Sequence, residues 1–197
     1  EGAIERDEQN KRYRLTPAWQ GAEALQDGRS ANLVDRAQPL MAHFAQAHEA
    51  AVGLWKIVSR DRMQLVAHAE SDAGMRLTLA DDQRQPLGAG AAGRAIAAAQ
   101  AIDGSESARR FEAVRWQSDL PFTSYVAQIN EAALKGFALD RGYAHRGVYT
   151  VAVAIADIPP GYCLTASLVA ESRGSSDIDR LGDALTSIGV ELALRQN

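Results

Sequence analysis

The stretch QPLGAGAAGRAIAAAQ, residues 85–100, contains Gly88, Gly90 and Gly93 in the spacing G-x-G-x-x-G, followed by a run of alanines. A dinucleotide-binding turn has this spacing, but it also needs a buried strand that runs directly into the first glycine. Residues 81–86 are polar and end in a proline, which is not typical of such a strand. We therefore interpret the stretch as a glycine-rich turn that opens a helix. The free backbone N–H groups of such a turn suit a small anion or a carbonyl group.

The spacing of apolar residues along the rest of the chain predicts an α+β fold. Helical periodicity and amphipathic runs predict helices at 17–26, 31–48, 90–100, 106–113, 124–143 and 177–195, with a break at 27–30. Alternation of apolar and polar residues predicts strands at 51–60, 62–70 and 75–80, and the apolar runs on either side of a turn rich in proline and glycine at 157–161 predict two longer strands within 147–172. One antiparallel sheet flanked by helices accounts for this order of elements.

Length, charge and cysteine content narrow the class of protein. The 197 residues can form one sizeable domain with room for a fragment of another. A net charge of −4 offers no overall attraction for nucleic acid or an anionic membrane. No apolar run approaches the roughly 20 residues that span a bilayer, and the first residues do not resemble a signal peptide. Since the single cysteine, Cys163, also fits a reducing compartment, we expect a cytoplasmic protein without membrane contact.

The sequence offers no recognisable catalytic or metal-binding pattern. His43 and His48 lie five residues apart, so they do not share a helix face as a zinc pair four residues apart would. Neither a G-x-S-x-G turn, nor a catalytic cysteine spacing, nor a close pair of carboxylates on an apolar background is present. We therefore predict no metal, no cofactor and no enzymatic activity. Cys163 is expected to behave as a small buried apolar residue.

The last two predicted strands carry many small side chains. Side chains alternate between the two faces of a strand, so small residues fall together on one face. We predict that this face consists of Thr150, Ala152, Ala154, Ala166 and Ala170. Another part of the protein must fill the space above such a face. Two interpretations remain open at this point: a helix that packs closely on the sheet, and a cavity for a small ligand.

Four segments of the chain carry a resemblance to a known family. They are GAIERDEQNKRYRLTP (2–17), PLGAGAAGRAIAAA (86–99), LDRGYAHRGVYTVAVAI (139–155) and CLTASLVAESRGSSD (163–177). Together they resemble the C-terminal effector-binding domain of the IclR family of bacterial transcription regulators, whose fold is similar to a GAF domain. The family has Gly-Lys-Ala where this chain has Gly93-Arg94-Ala95.

The resemblance implies a division of the chain and a set of partners. Residues 1–16 would be the wing and exit strand that remain from a winged helix-turn-helix domain, 17–30 a linker helix, and 31–197 the effector-binding domain. The full-length protein would bind operator DNA through the missing N-terminal helices and form a homodimer or homotetramer. Residues 1–16 themselves mix basic and acidic side chains evenly, so they have no basic DNA-binding surface.

The resemblance also implies an effector site. The backbone N–H groups of Gly90, Ala91 and Ala92 would face the effector, and Thr150 would supply a polar group. Family members that bind small polar acids tend to have serines where an ungapped alignment places Leu168 and Ala170, and acidic residues in a loop that is shorter here. We therefore expect a less polar pocket for an aromatic or larger acid. Its apolar walls would be Trp55, Leu77 and Leu168, with His145 or Arg146 pairing with an anionic group.

Two functions of other classes remain open from the sequence. An oligomerisation module that has lost its ligand would show the same short loop and missing serines. An enzyme on a similar α+β sheet would need a set of titratable residues within the pocket, and the sequence does not reveal one.

Overall fold

The computed structural model describes the backbone of residues 4–6, 13–15, 17–72, 77–155, 161–170 and 175–194. Side chains are described within 32–72, 77–155, 161–170 and 177–194. These residues form five helices and eight strands. In chain order they are β1 (Ile4–Arg6), β2 (Tyr13–Leu15), α1 (Pro17–His48), β3 (Ala51–Ile57), β4 (Arg62–Ala69), β5 (Arg84–Pro86), α2 (Gly90–Ala99), α3 (Gly104–Glu112), α4 (Phe122–Lys135), β6 (Ala138–Arg141), β7 (Val148–Ile155), β8 (Tyr162–Val169) and α5 (Ser175–Leu194).

A six-stranded antiparallel sheet organises the chain, in the order β5-β4-β3-β8-β7-β6. Its centre is the β3–β8 pair, which runs from Ala51 opposite Ser167 to Lys56 opposite Tyr162. This pair joins the β3–β4 hairpin to the β7–β8 hairpin, so residues more than 100 positions apart become neighbours. Strands β1 and β2 form a separate antiparallel pair. The predicted α+β class with one antiparallel sheet flanked by helices is confirmed.

Helices cover both faces of the sheet. On one face, α1 and α5 bury a large apolar core with residues such as Leu54, Val153 and Leu164. On the other face, the alanine-rich α2 packs against Ala152 and Cys163. Small side chains on both surfaces let this helix approach the strands closely, because little volume separates the two backbones.

The first and last glycines of the 85–100 stretch make a close backbone contact possible. A Cβ atom on Gly93 would lie 2.2 Å from the carbonyl carbon of Gly88. A Cβ atom on Gly88 would lie 2.4 Å from the carbonyl oxygen of Arg110 in α3. Since real Cβ atoms cannot approach backbone this closely, both positions require glycine for packing. The motif thus fixes α2 against its own turn and against α3.

The break predicted at 27–30 is wrong, because α1 runs without interruption from Pro17 to His48. A glycine such as Gly28 costs a helix about 1 kcal/mol relative to alanine, but it leaves every backbone hydrogen bond possible. Gly28 therefore weakens α1 without ending it. The two helices predicted at 17–26 and 31–48 are one.

The strand predictions hold for four long strands and fail at the sheet edges. Strands β3, β4, β7 and β8 are confirmed. Residues 77–80 of the strand predicted at 75–80 are not in a strand, and residues 75 and 76 lie outside the described part of the chain. The edge strand beside β4 is instead β5, which aligns Pro86 with Arg62. Strand β6 was missed, because it follows α4 after a single turn at Gly136, whose φ of 80° ends the helix.

Substituting Gly93 with alanine should destabilise the protein. The added methyl group meets the backbone of Gly88, which cannot move aside as a side chain would, so we expect Gly93→Ala to cost about 1–3 kcal/mol of unfolding free energy. Urea denaturation followed by circular dichroism measures this loss. Gly104→Ala is the matched control, because a Cβ atom there meets nothing within 4 Å. Equal stability of the two variants would contradict the packing role of Gly93.

Candidate functional site

A small cavity lies between the sheet and the N-terminus of α2. Its volume is about 60 Å³. The turn after β6 and the segment leading into β5 close its other sides. It is lined by Trp55, Leu79, Gln83, Gln85, Ala89, Gly90, Ala91, Ala92, Asp140, Ala144, His145, Thr150, Thr165 and Ser167.

The N-terminus of α2 presents unpaired backbone donors to this cavity. The first N–H group bonded within the helix is that of Gly93, which donates to the carbonyl oxygen of Ala89 at 2.9 Å. Ala89 precedes the helix and has no side chain that could cap it. Within the described part of the chain, the N–H groups of Gly90, Ala91 and Ala92 have no hydrogen-bond partner. The partial positive charge of a helix N-terminus adds to these donors, so this wall favours an anion.

Three hydroxyl groups on β7 and β8 form the opposite wall. The Oγ1 of Thr150 and the Oγ of Ser167 lie 3.0 Å apart in a hydrogen bond, so one hydroxyl proton of this pair stays available to a ligand. The Oγ1 of Thr165 accepts a bond from the Nε1 of Trp55 at 3.0 Å and donates to the carbonyl oxygen of Gly53 at 3.2 Å. Thr165 and Trp55 therefore shape the wall, while Thr150 and Ser167 offer the donor.

A buried ion pair lies beside the helix N-terminus. Arg94 in α2 is fully buried, and its Nη2 lies 3.4 Å from the Oδ1 of Asp140, whose side chain is 4% exposed. The Nη1 of Arg94 donates to the carbonyl oxygen of Leu139 at 3.3 Å. Burial lowers the pKa of Arg94, and the negative charge of Asp140 opposes that change. The pair joins α2 to β6, because the two charges are stable in the interior only together.

Aromatic rings surround the guanidinium group of Arg94. Its central carbon lies 5.6 Å from the ring centre of Trp116, 5.7 Å from that of Tyr125 and 6.0 Å from that of Tyr143. The Nε of Arg94 has no hydrogen-bond partner among the described residues. Cation–π contacts therefore replace part of the stabilisation by water that the guanidinium group loses on burial. Burial also raises the pKa of Tyr125. Tyr125 connects the ion pair to α4, and Trp116 connects it to the segment between α3 and α4.

The carboxylate of Asp140 shapes the turn that follows β6. Its Oδ1 accepts a hydrogen bond from the N–H of Tyr143 at 3.2 Å, and its Oδ2 accepts one from the N–H of Ala144 at 2.9 Å. These bonds place Ala144 and the exposed His145 at the cavity. The sequence predicted no acidic residue in the loop after Tyr143. The start of this loop is nevertheless held by the carboxylate of Asp140, which lies just before the loop.

The structure brings six of the ten predicted effector residues together on the wall of this cavity. They are Gly90, Ala91, Ala92, Trp55, His145 and Thr150. The start of α2, the strand β3, the turn between β6 and β7 and the start of β7 supply them, and these elements meet only in the folded chain.

The other four predicted residues do not line this cavity. Leu77 and Leu168 border a different and smaller depression beside Ala50 and Ser71. The guanidinium group of Arg146 donates to the carbonyl oxygen of Gln117 at 3.0 Å. The backbone N–H of Ala170 donates to the carbonyl oxygen of Gly147 at 2.8 Å, just beyond the end of β8.

The position of Leu168 follows from the register of the β7–β8 hairpin. Thr150 pairs with Ser167, and Val151 pairs with Ala166. Ala166 and Leu168 therefore lie in the core on the α1 and α5 side, and the prediction that Ala166 shares a face with Thr150 is wrong by one residue. Paired residues of neighbouring strands point to the same side of a sheet, so a shift of one residue exchanges the faces. The cavity has a serine where a leucine was expected.

Sequence reasoning missed Asp140 and chose Leu168 over Ser167, the residue that a shift of one position in the last strand puts in its place. Ser167 could have been found by aligning the two strands across their turn, but the turn does not fix the register by sequence alone. Asp140 stood in a segment assigned to a helix, so its position on β6 was hidden. Asp140 directly precedes the Arg-Gly-Tyr segment, and this position is the sequence feature that could have identified it as a site residue.

No group of three or more His, Cys, Asp or Glu side chains that could hold a metal ion occurs within the described ranges. In the same part of the chain, none of the helices has the length and apolar character needed to cross a bilayer.

The comparisons with known proteins identify the fold as that of a regulatory effector-binding domain and give its family. The family model described as the bacterial transcriptional regulator IclR C-terminal domain matches residues 27–185. The chain therefore belongs to the IclR family of bacterial transcriptional regulators, as its sequence motifs predicted, and this family and the structural neighbours are regulators rather than enzymes. The comparison with curated proteins gives no match.

Solved structures with similar folds are regulators as well. The IclR transcriptional regulator from Alicyclobacillus acidocaldarius is 24% identical, with a TM-score of 0.69 over 98% of this chain and 78% of that one. IclR of Thermotoga maritima is 18% identical, with a TM-score of 0.69 and the same coverage of both chains. The Agobacterium tumefaciens repressor BlcR is 15% identical, with a TM-score of 0.67 over 98% of this chain and 77% of that one. At these identities the structures support the fold.

Removing one partner of the buried ion pair should be strongly destabilising. Arg94→Met leaves the carboxylate of Asp140 buried without its counter-ion, so we expect a loss of about 3–5 kcal/mol in the free energy of unfolding, measured by urea denaturation. Arg180→Met is the control, because Arg180 is exposed in α5 and should change stability by less than about 0.5 kcal/mol.

A double variant separates the charge from the packing. Arg94→Met combined with Asp140→Asn removes the uncompensated charge, so it should be more stable than Arg94→Met alone. A cost for Arg94→Met no larger than that of Arg180→Met would contradict the role assigned to the pair.

Proposed function

We propose that the cavity beside α2 binds a small carboxylic acid as the effector of a transcription regulator. The observation that carries this proposal is the set of unpaired N–H groups of Gly90, Ala91 and Ala92, which line the cavity. A carboxylate bound there would satisfy donors that the helix leaves free. The hydroxyl pair of Thr150 and Ser167 would donate to the same ligand from the sheet.

The charges around the cavity support binding of a monoanion. Arg94 and Asp140 neutralise each other, so the net field is that of the α2 N-terminus, equivalent to about half a positive elementary charge. His145 lies exposed at the cavity and can add a donor to a bound anion. A single carboxylate complements this field.

The size and polarity of the cavity favour a short acid. A volume of about 60 Å³ is well below the roughly 300–1,000 Å³ typical of pockets for drug-sized ligands. The expectation of an aromatic or larger acid rested on Leu168 and Ala170 as pocket walls, and Ser167 stands on the wall in their place. We therefore propose a short polar acid as the effector.

The family supports the wider role of the protein. We infer that the full protein binds operator DNA in the bacterial cytoplasm, as a homodimer or homotetramer, and that effector binding shifts the balance between its arrangements. In this proposal the β1–β2 hairpin is the wing of a winged helix-turn-helix domain, and residues 17–30 of α1 link that domain to the effector-binding domain of 31–197. The continuous helix α1 is a suitable rigid connection between them.

Thermal-shift measurements with two panels of acids test the proposal. Acetate, propionate, pyruvate and lactate form one panel, and benzoate and phenylacetate the other. A ligand at about 100 times its dissociation constant adds roughly 2.7 kcal/mol, which corresponds to a rise of about 5–10 °C in Tm. We expect a rise with at least one short acid and none with the aromatic acids. A rise with aromatic acids alone would contradict the proposed short effector, and no rise with either panel would favour a ligand-free oligomerisation module.

The contribution of the sheet wall can be measured with an isosteric variant. Thr150→Val removes one hydroxyl of the Thr150–Ser167 pair without changing the volume, so the affinity for the short acid should fall about 10-fold or more in calorimetric titrations. Thr186→Val is the matched control, because the hydroxyl of Thr186 bonds to the carbonyl oxygen of Gly182 in α5, outside the cavity. Equal affinities of the two variants would remove the sheet wall from the site.

A further inference from the structure

The carboxylate of Asp140 retains one free acceptor position toward the cavity. A carboxylate has about four acceptor positions. The Oδ1 of Asp140 uses two, for the N–H of Tyr143 and the Nη2 of Arg94, and the Oδ2 uses one, for the N–H of Ala144. Asp140 lines the cavity although its side chain is only 4% exposed. The remaining position on Oδ2 is therefore available to a group inside the cavity.

Gly90 keeps the space between this oxygen and the helix N-terminus open. A Cβ atom on Gly90 would lie 3.7 Å from the Oδ2 of Asp140 and 3.4 Å from the Cβ of Ala144. The φ of Gly90 is +58°, a conformation that other residues adopt only at a cost. The gap that the absent side chain leaves lies between the backbone donors of α2 and the acceptor on Asp140. A ligand that fills it faces donors on one side and an anionic acceptor on the other.

The charge of Asp140 restricts which chemical group can occupy this position. A second carboxylate would be repelled, because two anionic oxygens cannot share a hydrogen bond without a proton. A keto oxygen is an acceptor too, and would leave Asp140 unsatisfied. An ammonium group would add a positive charge where Arg94 already supplies one. A hydroxyl group donates a hydrogen bond without changing the charge of the site.

From this geometry we infer that the effector is an α-hydroxy acid, whose carboxylate binds the N–H groups at the start of α2 and whose hydroxyl donates to the Oδ2 of Asp140. The inference rests on the proposed function, since it assigns a second contact to the same ligand. Asp140 is then both the residue that orders the turn after β6 and the residue that selects the ligand. The preference for a hydroxy acid over its analogues can be large, because an analogue without the hydroxyl group leaves a buried acceptor position of Asp140 unpaired.

Calorimetric titration of the wild-type protein with matched three-carbon acids tests the inference. Propionate, pyruvate, lactate, alanine and malonate differ in the group beside the carboxylate, and the two enantiomers of lactate are titrated separately. We expect one lactate enantiomer to bind at least 10-fold more tightly than propionate and pyruvate, with alanine and malonate weaker still. Equal binding of lactate, pyruvate and propionate would overturn the role of Asp140 and leave the proposed function intact. No binding of any monocarboxylate would instead count against the proposed function.

A variant of Asp140 then assigns the selectivity to its charge. In Asp140→Asn the amide oxygen can still accept the bond from the N–H of Ala144, while the anionic acceptor is lost. We expect the preference for lactate over pyruvate to fall to within about twofold. Asp183→Asn is the control, because Asp183 is exposed on α5 and should leave the preference unchanged. A preserved preference in Asp140→Asn would overturn the inference, and the wild-type titrations decide it without the variant if Asp140→Asn does not fold.

Discussion

The ion pair between Arg94 and Asp140 connects the elements on which the site depends. Arg94 comes from the second turn of α2 and Asp140 from the edge strand β6, so the pair fixes the helix against the sheet. The remaining oxygen positions of Asp140 order the backbone at Tyr143 and Ala144. Because isolated buried charges are far less stable than paired ones, neither side chain can move without the other. The ion pair therefore fixes the position of the turn that closes one side of the cavity.

The ion pair also links the cavity to the rest of the helical layer. The guanidinium group contacts Trp116 and Tyr125, and the ring of Phe111 packs against both. A ligand that bonds to Asp140 therefore acts on a group whose counter-ion is embedded in the contact between α2, α3 and α4. This continuity gives a physical route by which occupation of a small cavity can alter helix packing elsewhere in a regulator.

Much of the fold could be predicted from the sequence, and the failures have identifiable causes. Strand β4 alternates clearly, the strands around Trp55 and Val153 are long apolar runs, and α5 shows a regular apolar stripe, so local pattern was sufficient there. The edge strands β5 and β6 have three and four residues, too few for alternation to be visible. In the site, the backbone donors of α2 were predictable from the glycine-rich turn. Leu168 was placed on the wrong side because the register across the hairpin is not a local property.

The sequence by itself determined the α+β class, the family, and the helix that begins after the glycine-rich turn, because these depend on patterns within short segments. Only the tertiary structure decided which side chains face that helix. The β7–β8 register put Ser167 opposite Thr150, and the β6–β7 pairing brought Asp140 beside Arg94. Both contacts join residues distant in the chain. A shift of one residue in either strand pairing would move one side chain of each contact to the opposite face of the sheet. The chemistry of the cavity is therefore a consequence of strand register, which the packing of the whole sheet sets.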